Sequence, residues 1–317
     1  MSVRLWRGLD EVPPDLGRSV VVVGTFDGVH RGHQRVLERA REHADRLDLP
    51  LVAVTFDPPP ELVPGAPEPA VVLTGADRRA ELLSEHGADA VCVLPFTPEL
   101  SRWSAEDLVG RALVGRMRAA AVVTAPDLHL GHGTDADVDT LRALGKEYDF
   151  TVEEVQPPAD AEPVTTARVR SLVTAGDIAG ANAALGRAHR VEGVVVHGAA
   201  RGRELLGFPT ANLECPPNAA VPADGVYAGW LLRLDGTEGE SRWAAAISVG
   251  TNPTFEASAR TVEAYALDRD DLELYGLRMA VEFVHRIRPM LRFDGVEALI
   301  EAMGRDVERC RELLLGG

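Results

Sequence analysis

Ser19-Val20-Val21-Val22-Val23-Gly24-Thr25-Phe26-Asp27-Gly28-Val29-His30-Arg31-Gly32-His33 carries the reading that decides the fold of the first half. Its β-branched run predicts a buried strand that closes at Gly24. Val36, Leu37, Ala40, Ala44 and Leu47 then recur at helical spacing, predicting a helix over about 33–47. Working outward, Leu51–Phe56, Val91–Leu94 and Ala121–Thr124 read as further strands. Thr74 with Asp77 marks the start of a helix that stops at Gly87, and another helix is expected from Ala105 to about Ala119. Strands alternating with helices predict an α/β, Rossmann-like domain with a parallel sheet, whose ligands sit beyond the carboxyl ends of the strands.

The pattern changes after Gly186. Val191–Val196, Val226–Leu234, Trp243–Val249, Val262–Leu267 and Leu277–Val284 are short runs punctuated by turns, which predict an antiparallel β-barrel or sandwich. An amphipathic helix is expected from Asp294 to about Leu315, with Asp294 and Glu297 as a capping-box-like pair. The expected domains are therefore 1–186 and 187–317.

The 317 residues suffice for two cores, and 45% hydrophobic with 26% charged residues is ordinary for a globular chain. A formal charge of −16 argues against broad binding to nucleic acid or to an anionic membrane. Anionic ligands must then be held by local arginines, amides or a metal, since Lys146 is the only lysine. No apolar run reaches the roughly 18 residues of a membrane span, and the N-terminus lacks the apolar core of a secretory signal. Cys92, Cys215 and Cys310 are odd in number and far apart, which predicts no disulfide framework or zinc site and fits a reducing cytoplasm.

The chemistry of the first half centres on the glycine-spaced loop. Gly24, Thr25, Phe26, Gly28 and Gly32 let backbone approach a phosphate, and the following helix start offers free amides to an anion. His30 and His33 form H-x-G-H and can donate hydrogen bonds to charge developing on an α-phosphate and leaving pyrophosphate. This string resembles the nucleotidyltransferase superfamily, and specifically the FMN adenylyltransferase module of bacterial bifunctional flavin enzymes. The likeness continues through Thr55–Pro60, Phe96–Leu100, Asp127 and Thr165-Thr166-Ala167-Arg168-Val169-Arg170. It implies that Thr165, Thr166 and Arg168 bind ATP phosphates and that Asp127 lies at the flavin.

The match departs from the family pattern at five positions. Pro59 stands where the family has histidine, Ala125, Leu128 and Leu130 interrupt its G-x-D/N-F-x-F-G, and Ala167 replaces a phosphate-facing hydroxyl. A hydrogen bond lost to a charged group costs on the order of 1.5–3 kcal/mol, or roughly ten- to over a hundredfold in rate. The sequence thus leaves open a front domain that adenylylates FMN and one that is inactive, regulatory or specific for another acceptor.

In the second half, Gly193–Gly198 feeds a loop with Gly198, Gly202 and Gly207, followed by Pro209-Thr210-Ala211-Asn212. Such a loop can wrap polyphosphate, and Thr210 and Asn212 offer the hard oxygens that Mg²⁺ prefers. This run resembles riboflavin kinase, as do Asp224–Ala228, Val249–Phe255, Val262-Glu263, Leu274–Gly276, Val281–Phe283, Arg286–Arg288 and Arg292-Phe293. The resemblance implies a small β-barrel with a C-terminal helix, Mg²⁺–ATP on Thr210 and Asn212, and Glu263 as the base for the ribityl hydroxyl. It also puts Arg288 and Arg292 near the flavin or the nucleotide. The implied substrates are riboflavin, FMN and ATP, with no nucleic acid or membrane partner; assembly into a homo-oligomer is left open.

Overall fold

The computed structural model describes residues 4–60, 71–126, 128, 137–158, 162–197, 209–236, 241–251 and 260–316. Two compact units emerge, one of Met1–Ala70 and Thr74–Thr166, the other of Val71–Leu73 and Ala167–Gly317.

In the first unit the strands are β1 (Arg4–Arg7), β2 (Ser19–Val23), β3 (Leu51–Asp57), β4 (Ala90–Pro95), β5 (Ala119–Thr124) and β6 (Thr151–Glu154). They form one sheet in the order β1-β4-β3-β2-β5-β6, every pairing parallel. A parallel sheet is covered on both faces, so its central strands can be apolar throughout. Val21 and Val23 pack with Val52, Val54, Cys92 and Val122, while Val20 and Val22 face Val36, Leu37, Ala40 and Ala44. Those last four residues line α1 (Arg31–Leu47). The chain proceeds from β2 to one side, through β3 and β4, and from β5 to the other. That reversal leaves a crevice at the carboxyl ends of β2 and β5, and the H-x-G-H loop leaves β2 there.

Three sequence expectations are adjusted. β1 and β6 are two additional short strands at the sheet edges, where four residues carry little periodic signal. Helix α2 (Ala76–Glu85) is preceded by Gly75 rather than capped by Thr74, whose hydroxyl is used elsewhere. The helix expected over 105–119 is a turn, α3 (Ala105–Asp107), capped by Ser104 and continued by a π-helix, Leu108–Val114. This unit also contains α4 (Val138–Tyr148).

The second unit contains α5 (Thr166–Ala175, of which Thr166 groups with the first unit), α6 (Ile178–Leu185), six strands and α7 (Val296–Leu315). The strands are β7 (His189–Val196), β8 (Ala211–Glu214), β9 (Gly225–Arg233), β10 (Arg242–Thr251), β11 (Arg260–Ala266) and β12 (Arg278–Pro289). They close in the order β10-β11-β8-β7-β12-β9 through antiparallel pairs. A barrel this narrow has its interior filled by side chains. Ala211, Leu213, Ala245, Ile247, Val249, Val262, Ala264 and Ala266 form that filling, so their alternating neighbours Asn212, Ser248 and Glu263 face outward. Helix α7 lies on the outer wall, with Val307 and Cys310 against Ala228, Ala244 and Leu267. Its cap is Gly295, with no side-chain cap hydrogen bond, so the expected Asp294–Glu297 box does not form; extended backbone at Gly295 starts the helix two residues later.

Among the described residues, no helix is long and apolar enough to cross a membrane. The three cysteines are unpaired, and burial pushes each thiol up to about 12, far from forming a thiolate nucleophile.

Candidate active sites

The first site is the loop after β2. Phe26 and Val29 have φ of 49° and 38°, and Gly28 has φ of 81°, so the chain coils tightly before α1. The coil is held from outside. The Gly28 N–H donates to the Thr74 hydroxyl at 3.0 Å, and the Thr74 N–H and hydroxyl donate to Asp27 Oδ1 at 3.0 and 3.3 Å. Asp27 is fully buried. Thr55 adds a hydroxyl bond to the Thr25 carbonyl at 2.8 Å. Neither Asp27 nor Thr74 stands out as a site residue in the sequence; a polar pair facing one glycine loop across 47 positions has no local signal.

His30 and His33 end up ring on ring, centroids 3.7 Å apart and planes 19° from parallel. His30 is the cap of α1, its Nδ1 accepting from the His33 N–H at 3.4 Å. In the neutral ring that leaves Nε2 as the N–H, and Nε2 lies 3.3 Å from the Thr166 hydroxyl. His33 Nδ1 is buried with no hydrogen-bond partner among the described residues, and Phe26 meets the ring edge-on at 5.2 Å. Burial, then the nearness of His30 and Arg79, holds the His33 pKa well below the usual histidine value, so the ring is neutral near pH 7. A Cβ on Gly32 would lie 2.9 Å from the Val164 carbonyl oxygen. The missing side chain is what lets the segment leading to Thr166 reach His30.

Of the other residues proposed from sequence, Gly24, Thr25 and Phe26 lie on the same loop. Thr165 and Arg168 are exposed, flanking the start of α5. Asp127 and Leu130 lie outside the described residues. Leu128, at a position where the family has an aromatic ring, is 9% exposed in the core beside Phe56, Leu113 and Met117.

The second site is a cavity of about 640 Å³ lying against the outer barrel wall, lined by Thr210, Ser248, Glu263, Arg288, Met290, Leu291 and Phe293, and by Leu299, Met303, Asp306 and Val307 of α7. Across the strand ladders Glu263 is in register with Asn212 on β8 and with Ser248 on β10. Burial raises the Glu263 pKa, and no charged neighbour contributes to the shift. The Asn212 Nδ2 donates to the Thr210 carbonyl at 3.4 Å, which orients its amide. Arg288 lines the cavity with its guanidinium bound to Asp306, whereas Arg292 is exposed and outside the lining. Gly198, Gly202 and Gly207 lie outside the described residues. Ser248 and Asp306 carry no signal in the sequence, because only barrel register and helix packing bring them to Glu263 and Arg288.

Comparison with known proteins supports both halves. Residues 12–167 match the FAD synthetase family and residues 185–314 match the riboflavin kinase family. A bifunctional riboflavin kinase/FMN adenylyltransferase of Pseudomonas fluorescens is 35% identical, with 98% of each chain covered. Its namesake in Listeria monocytogenes is 33% identical, over 92% of this chain and 91% of the relative. A solved structure described as a macrolide-efflux protein from Streptococcus pneumoniae superposes with a TM-score of 0.83 at 29% identity, covering 98% of this chain and 99% of that one. With two family matches in tandem and relatives that align from end to end, the chain belongs to the bifunctional riboflavin kinase/FMN adenylyltransferase family.

Proposed function

We propose that this chain makes FMN from riboflavin and ATP at the barrel site, and FAD from FMN and ATP at the H-x-G-H site. The observation that carries the reading is Glu263, a partly buried carboxylate with a raised pKa that lines a cavity and stands in register with Asn212. We place the functional boundary at 186–187, two residues inside the start of the riboflavin kinase match at 185, while the compact units divide at 166–167.

In the kinase reaction Glu263 accepts the proton of the ribityl hydroxyl, whose oxygen forms a bond to the γ-phosphorus of ATP while the bond to the β-phosphate oxygen breaks and ADP leaves. A raised carboxylate pKa suits that task, since a base works best near the operating pH. The Thr210 hydroxyl and the Asn212 amide oxygen are hard donors of the kind Mg²⁺ takes, and few protein ligands are needed when substrate phosphates complete the set. They are the residues that would hold it. When bound, Mg²⁺ offsets the phosphate charge.

In the adenylyl transfer the FMN phosphate oxygen attacks the α-phosphorus of ATP, and pyrophosphate departs. His30 and His33, stacked ring on ring, present N–H groups to the charge that builds on these phosphates. The loop amides around Gly28, locked by Thr74 and Asp27, supply a preorganised cradle. Thr165, Thr166 and Arg168 are assigned to the ATP phosphates and Asp127 to the flavin. The net charge of −16 supports small-molecule substrates over nucleic acid, and three unpaired cysteines support a cytoplasmic location.

A second reading, riboflavin kinase alone with the first unit inactive, regulatory or specific for another acceptor, draws on Ala167 and on Leu128 buried in the core. Chromatography of products from riboflavin, ATP and Mg²⁺ tests both. FMN followed by FAD is expected; FMN without FAD favours the second reading, and neither product overturns the flavin assignment.

A further inference from the structure

Arg288 and Asp306 sit 18 residues apart, one on β12 and the other on α7, and both line the barrel-side cavity. Their contact is two-pronged. Arg288 Nε donates to Oδ1 and Oδ2 at 3.0 and 3.1 Å, and Nη2 donates to Oδ2 at 2.6 Å. Nη1 turns back to the Pro289 carbonyl at 3.1 Å, and the guanidinium lies 5.8 Å from the Phe293 ring centre. The two side chains are only 18% and 11% exposed. A fork held on two edges in a sheltered site has little freedom left, unlike a surface arginine.

The pair does two things at once. It fastens α7 to the barrel at the point where Leu299, Met303 and Val307 form the wall facing Glu263. It also pairs the Asp306 carboxylate inside the cavity that Glu263 lines. We infer that Asp306 is a positioning residue for the acceptor: through Arg288 it sets the guanidinium and the helix wall against which riboflavin is aligned. The inference rests on the kinase reading above and extends it to a residue with no assigned role.

Asp306→Asn keeps the shape and one acceptor oxygen but removes the charge. Its riboflavin KM is expected to rise roughly tenfold to a hundredfold, the size of loss that comes from small misplacement, with kcat and the KM for ATP unchanged. Asp306→Glu should recover part of the loss, and riboflavin fluorescence quenching should weaken in parallel. A riboflavin KM equal to the wild type's overturns the inference, as does an equal fall in kcat and in affinity for both substrates. If Asp306→Asn does not fold, the apolar pair Arg288→Met with Asp306→Leu keeps the packing without buried charge. That pair must show a raised riboflavin KM at normal thermal stability, and a normal KM overturns the inference. Absence of riboflavin phosphorylation in the wild type would instead defeat the kinase reading itself.

Discussion

Glu263 stands directly across the β11–β8 ladder from Asn212, so the residue read as base and the residue read as metal ligand project from adjacent strands on one outer face of the barrel. On an antiparallel pair such opposed residues lie about 5 Å apart at Cβ. The alternation that buries Val262 and Ala264 inside the barrel is the same alternation that delivers Glu263 to the outside cavity.

Glu263 is held at a cost. Its folded pKa is raised by burial, so folding favours the protonated form, and that contribution is present below the ordinary value of 4.5 and lost as pH rises through the raised value. Glu263→Gln should therefore melt higher than wild type at pH 7, with the difference vanishing near about pH 4. FMN formation should fall by about 10²–10⁴. Thermal melts across pH, alongside initial rates, check both halves.

His33 predicts the opposite slope. Its folded pKa is well below 6.5, so the unfolded chain takes up a proton that the native ring refuses, and stability falls as pH drops below 6.5. His33→Gln should flatten the melting-temperature profile between about pH 5 and 6.5 while abolishing FAD formation. An unchanged acid slope would contradict the buried neutral ring.

Thr74→Val removes the hydroxyl that joins Gly28 to Asp27 and leaves both without that partner. The expected loss is about 1–3 kcal/mol of stability, together with a marked fall in FAD formation and unchanged FMN formation. Product ratios from one incubation report it.

Gly32→Ala places a methyl group 2.9 Å from the Val164 carbonyl oxygen, a backbone atom that cannot rotate away. Overpacking of this kind costs roughly 1–3 kcal/mol. Its functional reading is the separation of Thr166 from His30, seen as slower FAD formation with the kinase rate intact.

Ala167→Thr restores a hydroxyl on the first turn of α5. If the missing phosphate contact limits the adenylyl transfer, FAD formation should rise about tenfold or more. No gain would place the limitation at the altered acceptor positions.

The architecture was legible where burial leaves a periodic trace. Val20–Val23 announced a strand covered on both faces, and the glycine-spaced string after it pointed to the crevice beside β5. The change to short runs after Gly186 marked the barrel. Glu263 was readable through its neighbours Val262 and Ala264, but the side of the wall it faces was not, because that depends on closure of all six strands. Thr74 illustrates the limit. Its position before α2 read as a helix cap, yet a deeper, buried partner in Asp27 took the hydroxyl. Asp306 reads as one acidic residue in a charged helix until α7 is laid on β12 and Arg288.

Independence of the two chemical sites is tested by product analysis of two variants, Glu263→Gln and His30→Ala with His33→Ala, each supplied with ATP and Mg²⁺ and with either riboflavin or FMN. Glu263→Gln should form FMN from riboflavin about 10²–10⁴-fold more slowly while still converting FMN to FAD, and the double histidine variant should make FMN from riboflavin and no FAD. Loss of both products in either variant, or FAD formed without the two histidines, would contradict the two-site reading.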